Sequence, residues 1–285
     1  MSTPQTPFPD LPNIDIKFPH SPVAIAALAY AKQHTREATY NHCIRSAYWA
    51  LILAKKLPQF SPSPSRRELN IETVLVAAIL HDMGWATTKG LLSKDKRFEV
   101  DGANLAYEFL GRYIGEGDEG ALEWDGKGDG DGDGKRQVVW DAIALHCTGS
   151  IALHHPRPEV ALAHLGIMAD FVGPRFRAGD AEGRGQGEGN GEGEVITLQE
   201  YREVLARFPM RGFGSDGFRE VMCGLCREKP GTTYDNFVGA FGARFGIDGR
   251  GGGKEEFRRE MEKVDPVGML LGGLEYLEGL LKEGE

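Results

Sequence analysis

Apolar side chains recur at helical spacing along most of the chain. Between residues 36 and 57, Ala47, Leu51 and Ala54 share one face of a helix, and Pro58 ends it. The two-residue alternation of apolar and polar positions that is typical of strands is hard to find. The pattern therefore predicts an all-α fold.

Capping residues mark where two of these helices begin. Ser21 followed by Pro22 is an N-cap with proline at the first helical position. Asn70, with Glu72 in the first turn, begins a helix that runs to residue 82. The same kind of pattern predicts further helices within residues 98–114, 136–147, 155–173, 197–208, 218–229, 233–246 and 266–283.

The domain organisation follows from proline and glycine. Residues 1–19 contain five prolines and are expected to form an extended or disordered N-terminal arm. Residues 20–285 are expected to form a single domain. Two segments near 115–134 and 179–194 alternate glycine with acidic residues, which predicts glycine-rich loop insertions in that domain.

Composition narrows the class of protein. The chain has 285 residues, of which 41% are hydrophobic, so it can bury a sizeable core. Its net charge is -9, and without a basic groove we expect no nucleic-acid partner. No apolar run reaches the roughly 18 to 20 residues of a membrane span, so we expect no membrane partner. Four cysteines without an export signal indicate free thiols and a cytoplasmic protein. The expected partner is a small-molecule substrate. Whether the protein forms a homo-oligomer stays an open question at this point.

Residues 77–90, AAILHDMGWATTKG, carry the strongest chemical signal. An apolar run ends there in His81 and Asp82. Burying an unpaired imidazole or carboxylate costs several kcal/mol unless a partner compensates. A metal ion bound by these two residues, with His42 and Asp170 from other helices, would compensate both. A hydrogen-bonded His-Asp pair at the helix end explains the two residues equally well.

The motif also resembles a known family. His-Asp-Met-Gly after an apolar helix, an upstream His and a late Asp on a helix resemble the HD-domain metalloproteins. The blocks NHCIRSAYWA, RFEVDGANLAYEFL, DAIALHCTGSIA and LGIMADFVGP are similar to the cyanamide hydratase branch of those proteins. The resemblance covers residues 20 to 245, except for the two glycine-rich insertions.

The resemblance implies a fold, a cofactor and a reaction. It implies an HD-domain helical bundle in which His42, His81, Asp82 and Asp170 bind the metal. The metal would be Zn²⁺, with Fe²⁺ or Mn²⁺ as alternatives. The enzyme would be a zinc-dependent hydro-lyase that converts cyanamide to urea through a metal-bound hydroxide, with His81 and Asp82 as catalytic residues.

The segment after the His-Asp pair is expected to meet the substrate. Thr87, Thr88 and Lys89 follow closely enough to reach the site, and the resemblance places a substrate-contacting threonine here without fixing which one. Lys89 is a catalytic candidate, and a solvated surface charge is the equally open interpretation.

Three further residues complete the predicted site. His146 ends a helix and is expected to face the site as a catalytic proton shuttle or as a partner of a metal ligand. Phe98 is predicted as a substrate-pocket wall or a core residue. Glu99 is predicted to accept a hydrogen bond on the substrate side or to cap its helix.

Three other functions remain open at this point. An HD phosphohydrolase of nucleotides or phosphodiesters would use nearby cations, for which Arg45, Lys89 and Arg97 are candidates. A two-iron HD oxygenase would need His146 and a second histidine on a second ion. A non-enzymatic helical module would have no metal at all.

Overall fold

The computed structural model describes residues 8–64, 67–115, 134–182 and 194–282, and in these ranges the protein is all-α, as predicted. No strand longer than an isolated bridge occurs in them. The α-helices are α1 Pro22–His34, α2 Glu37–Lys56, α3 Ile71–Leu80, α4 Phe98–Gly115, α5 Lys135–Ala144, α6 Gly149–Ala152, α7 Pro158–Val172, α8 Leu198–Arg207, α9 Ser215–Glu228, α10 Phe237–Phe245, α11 Lys254–Glu262 and α12 Pro266–Lys282. None of the described helices is both long enough and apolar enough to cross a membrane.

The helix starts predicted from capping residues are confirmed. The Ser21 hydroxyl accepts a hydrogen bond from the backbone N–H of Ala24 at 3.3 Å. The Asn70 side chain accepts one from the N–H of Thr73 at 2.9 Å. Each cap satisfies a backbone donor that the first turn of a helix leaves unpaired.

Helix α2 lies at the centre of the first part of the chain. It packs against α7 and α3, and its residues 41–50 are buried. The close approach of α7 depends on Gly166, where a Cβ atom would lie 2.7 Å from the carbonyl oxygen of Ser46 and 2.8 Å from the Cβ of Ala50. The polar residues of α2 and of the facing part of α7 are therefore enclosed and need partners inside the protein.

Part of the N-terminal segment, expected to be an extended or disordered arm over residues 1–19, packs against the core. Residues 1–7 lie outside the described part, but Phe8, Leu11, Ile16 and Phe18 are buried in the hydrophobic core. The rings of Phe8 and Phe18 stack with centroids 3.9 Å apart. The prolines end regular structure, but the apolar residues between them gain more from burial than the segment loses in chain entropy.

The described chain divides into two compact units, and the single domain expected over residues 20–285 stays a prediction. The first ends at Gly214 and the second begins at Ser215. The second unit has its own packing, in which the rings of Phe218 and Phe241 meet and the Cys226 thiol donates to the Val238 carbonyl at 3.2 Å. Most of the two glycine-rich insertions lies outside the described residues.

Candidate metal centre

Three predicted ligands converge in the interior of the first unit. His42 comes from α2, and His81 and Asp82 come from the 3-10 turn His81–Trp85 that follows α3. Asp82 has φ -96° and ψ 20°, outside the helical region, so this adjacent pair can turn toward one point. All three side chains are at most 1% exposed.

The facing atoms of these residues lie at short distances. His81 Nε2 is 3.2 Å from His42 Nε2 and 3.2 Å from Asp82 Oδ2, and His42 Nε2 is 3.6 Å from Asp82 Oδ2. One potential ligand atom from each residue can be chosen so that all three lie within 4.8 Å of one another. This spacing is small enough for one ion to contact all three.

The hydrogen bonds around the cluster fix which atoms face it. His81 Nδ1 lies 2.8 Å from the carbonyl of Ala78, and His42 Nδ1 lies 2.7 Å from Asp170 Oδ2. A carbonyl and a carboxylate only accept, so each Nδ1 donates, and in the neutral ring Nε2 carries the lone pair. Neither Asp82 oxygen has a hydrogen-bond partner. The centre is therefore a buried group of acceptors without a donor, which is the environment a cation fits.

The electrostatics of the cluster also favour a positive charge. Burial lowers the pKa of His42. At His81 burial acts in the same direction, but the Asp82 carboxylate and the Cys43 side chain together outweigh it and raise the pKa of His81 well above its ordinary value. Without a metal the cluster thus takes up a proton. Two imidazoles and a carboxylate are a suitable donor set for Zn²⁺, Fe²⁺ or Mn²⁺, so the residues present fit the predicted metal.

Asp170, the fourth predicted ligand, is hydrogen-bonded by His42, Arg45 and Trp49, and its role as a ligand stays a prediction. Its Oδ2 accepts from His42 Nδ1 and from Arg45 Nη2, both at 2.7 Å. Its Oδ1 accepts from Arg45 Nε and from Trp49 Nε1, both at 2.8 Å. Burial alone would raise the pKa of Asp170, but these donors hold it well below its usual range. Asp170 thus lies behind His42 and is not brought into the three-residue cluster.

His146 lies beside the cluster, as its position in the sequence suggests. It is 2% exposed, and its ring centroid is 5.0 Å from that of His81. Its Nδ1 is 2.6 Å from the Ile143 carbonyl, so Nε2 carries the lone pair. Burial, with a smaller contribution from His81, lowers the pKa of His146 to about 3. His164 in α7 donates from Nδ1 to the His146 carbonyl at 2.6 Å.

Aromatic rings pack against His42 and His146. Phe213 stacks on His42 with centroids 4.1 Å apart and an interplanar angle of 14°, and Phe171 meets the same ring at 5.3 Å. Phe98, predicted as a wall or core residue, lies 5.6 Å from the ring of His146. Neither Phe171 nor Phe213 was predicted as a site residue. Phe171 directly follows Asp170, whereas Phe213 lies in an irregular segment that carries no periodic signal.

The segment predicted to meet the substrate lies at the surface. Thr87, Thr88 and Lys89 are exposed. The backbone N–H of Thr87 donates to the His34 carbonyl at 2.7 Å, and the Thr88 hydroxyl is 2.9 Å from His34 Nδ1. The chain after the His-Asp pair is thus attached to the end of α1, and the structure does not bring these three side chains into the buried cluster.

Glu99 is buried near the thiol of Cys147, apart from the three-residue cluster. Glu99 is 4% exposed in the first turn of α4. Burial and, to a smaller extent, the charge of Glu99 raise the pKa of the Cys147 thiol. Glu99 is not a member of the three-residue cluster, and its predicted contact with the substrate stays a prediction.

Comparison with known proteins identifies the domain that carries this site. Residues 39–167 match the family model of the HD domain. This range includes His42, His81, Asp82 and His146 and stops three residues before Asp170. No curated protein matches the chain. HD domains are generally metal-dependent hydrolases, so the match supports an enzyme whose reaction depends on a metal.

Proposed function

From the HD domain at residues 39–167, we propose that this protein is a metal-dependent hydratase that adds water to a small nitrile-like substrate and converts cyanamide to urea. The observation that carries the proposal is the buried group of acceptors formed by His42, His81 and Asp82. The resemblance of the surrounding sequence blocks to cyanamide hydratases supports the choice of reaction.

The three residues of the cluster would hold the metal. His42 and His81 would bind through Nε2, because both Nδ1 atoms are already engaged, and Asp82 would bind through a carboxylate oxygen. A divalent cation bound there would supply an activated water and would polarise the nitrile nitrogen. Zn²⁺ is the proposed ion, with Fe²⁺ or Mn²⁺ as alternatives.

The remaining residues would orient the reactants and move protons. The reaction joins the water oxygen to the nitrile carbon, and both water protons end on the former nitrile nitrogen. His146 is neutral, and its Nε2 lone pair can accept a hydrogen bond from the attacking water. Phe98 and Phe213, packed on His146 and His42, would limit the water that reaches the cluster.

The surroundings of the cluster favour a small uncharged substrate over a phosphate ester. The ligand side chains are at most 1% exposed, which leaves little access for a nucleotide. Arg45 is fully buried, and its guanidinium is used by Asp170 and by the carbonyls of Phe208 and Pro209. Lys89 is exposed on the surface. These two candidate phosphate-binding cations are thus not presented to the centre.

The test is a product assay on metal-loaded protein. Incubation with cyanamide should give urea, and activity should be lost after chelation and in Asp82→Asn. Lys96→Met is the matched surface control and should retain activity, because Lys96 is exposed. Phosphate release from nucleotides or phosphodiesters without urea formation would replace the proposal with a phosphohydrolase. Two irons per chain with oxygen consumption would replace it with an oxygenase.

A further inference from the structure

The imidazole of His42 lies one aromatic ring below the surface of the first unit. Its side chain is 1% exposed, whereas Phe171, whose ring centroid is 5.3 Å from that of His42, is 40% exposed. Phe213 covers a face of the same imidazole, with centroids 4.1 Å apart, and is 6% exposed. These two phenylalanines therefore lie between this side of the cluster and the solvent.

The two phenylalanine rings also contact each other. The centroids of Phe171 and Phe213 are 5.7 Å apart with an interplanar angle of 53°, which is direct packing for aromatic side chains. A nitrile cannot pass between two rings that touch. One of the two rings must therefore turn before a substrate can reach His42 from this side.

Phe213 is held in place by the segment that carries it. Residues 208–214, which we call the strap, follow α8 in the first unit. Arg45 Nη1 donates to the Pro209 carbonyl of the strap at 3.1 Å. The backbone N–H of Phe213 donates to the Met210 carbonyl at 2.8 Å, which closes a turn within the strap. Because its ring is also stacked and buried, Phe213 forms a fixed wall.

Phe171 is better placed to turn. It is the second-to-last residue of α7, and Gly173, at φ +59°, ends that helix. Rotamers of exposed side chains change within picoseconds to nanoseconds, and a residue that is already 40% exposed loses little apolar burial when its ring swings outward. Turning Phe171 away from Phe213 would open a gap about one ring wide beside His42.

We propose that Phe171 is a specificity-determining residue at the entrance of this centre, a gate that closes against the fixed wall of Phe213 and admits a narrow, unbranched nitrile such as cyanamide. Substituents on the amino nitrogen would have to pass the same gap beside the Phe171 ring. The selection among nitriles rests on the proposed function, whereas the position of the entrance does not.

The test compares Phe171→Ala with Phe237→Ala. Phe237 is the same residue type, is 38% exposed and begins α10 in the second unit. The first measurement is the ratio of kcat/KM for dimethylcyanamide to that for cyanamide in the Zn²⁺-loaded protein. The second needs neither metal nor activity, and is the rate at which diethyl pyrocarbonate modifies His42 in the metal-free protein, located by peptide mass. His164 on α7, 7% exposed, is the internal reference for general loosening of the fold.

Removal of the gate should act at the entrance and not on the fold. In Phe171→Ala the kcat/KM ratio should rise by about tenfold or more, because an apolar pocket discriminates by about 10- to 200-fold for each carbon that it has to exclude. Modification of His42 should become several-fold faster, with His164 unchanged. Phe171→Leu keeps a large apolar side chain and should lie between the two, and Phe237→Ala should match the wild type in both measurements.

Several results would overturn the inference. It fails if Phe171→Ala leaves the modification rate of His42 at the wild-type value, or if Phe237→Ala raises that rate equally. Faster modification of His42 and His164 together also contradicts it, because loosening of the fold then explains the change. An unchanged nitrile ratio in active Phe171→Ala overturns the role in specificity. If the wild type hydrates no nitrile, the proposed function fails, and the modification of His42 still decides whether Phe171 closes the entrance.

Discussion

Gly84 lies directly against the backbone of Phe98. A Cβ atom on Gly84 would be 2.0 Å from the carbonyl oxygen of Phe98, so the turn that carries His81 and Asp82 packs on the first residue of α4. The position of the metal centre therefore depends on contact between two backbone segments with no side chain between them.

Gly84→Ala should destabilise the protein and disturb the centre. The added methyl group meets backbone atoms, which cannot move aside as a side chain can, and overpacking of this kind typically costs about 1–3 kcal/mol. Gly90→Ala is the control, because a Cβ atom there meets nothing within 4 Å. Chemical unfolding should show a lower midpoint for Gly84→Ala alone. Equal midpoints for the two variants would contradict the packing described for this turn.

Gly166→Ala should separate α7 from α2. Its Cβ atom would lie 2.7 Å from the Ser46 carbonyl, one turn before Asp170 meets His42. The expected loss is about 1–3 kcal/mol in the free energy of unfolding, although alanine favours a helix over glycine by about 1 kcal/mol. Gly224→Ala in α9, whose nearest contact is the Arg227 side-chain end at 3.6 Å, should be neutral or stabilising. A stabilised Gly166→Ala would show that the helices are not in close contact here.

Asp82→Asn should cost the metal-free protein less stability than Asp170→Asn. Asp82 Oδ2 lies 3.2 Å from His81 Nε2 and raises the pKa of that ring, so without the carboxylate His81 can lose its proton and no unpaired buried charge remains, while metal binding is abolished. Asp170 accepts four hydrogen bonds, and its neutralisation leaves Arg45 buried without a counter-charge, which costs about 3–5 kcal/mol. Thermal unfolding after chelation measures both. Equal destabilisation by the two variants would contradict the different surroundings of these carboxylates.

Metal affinity should fall as the pH falls. The pKa of His81 is raised above its ordinary value, so near neutral pH the metal-free centre carries a proton on His81 that the metal must displace. Below this raised pKa, each unit of pH should weaken binding by about tenfold, and above it the affinity should level off. Calorimetry in buffers of different protonation enthalpy should show proton release on binding. Binding without proton release between about pH 6 and 8 would show that His81 is already neutral.

The sequence specified the helices and the cluster better than the surroundings of the cluster. The N-caps at Ser21 and Asn70 are local, since a side chain satisfies a donor three residues away, and both were predictable. The convergence of His81 and Asp82 was also predictable, because they lie at the end of an apolar helix and no regular helix could aim both at one point.

The hydrogen bonds of Asp170 could not be predicted from the sequence. Arg45 and Trp49 donate to its carboxylate, and spacing alone does not reveal side-chain direction. The sequence did contain one relevant pattern. Arg45 and Trp49 follow His42 at helical intervals, which places all three on one face of α2. For Thr88 the distance along the chain was compatible with the centre, but its partner His34 on α1 holds it at the surface.

The most direct test of the metal centre is the metal content of the purified protein and of two variants. After stripping and reloading with Zn²⁺, the wild type should hold about one ion per chain, as should Thr88→Val, whose side chain is exposed. Asp82→Asn should hold less than about a tenth of that while remaining folded. A folded wild type that retains no divalent metal, or a metal content unchanged in Asp82→Asn, would contradict the assignment of His42, His81 and Asp82 as the metal ligands.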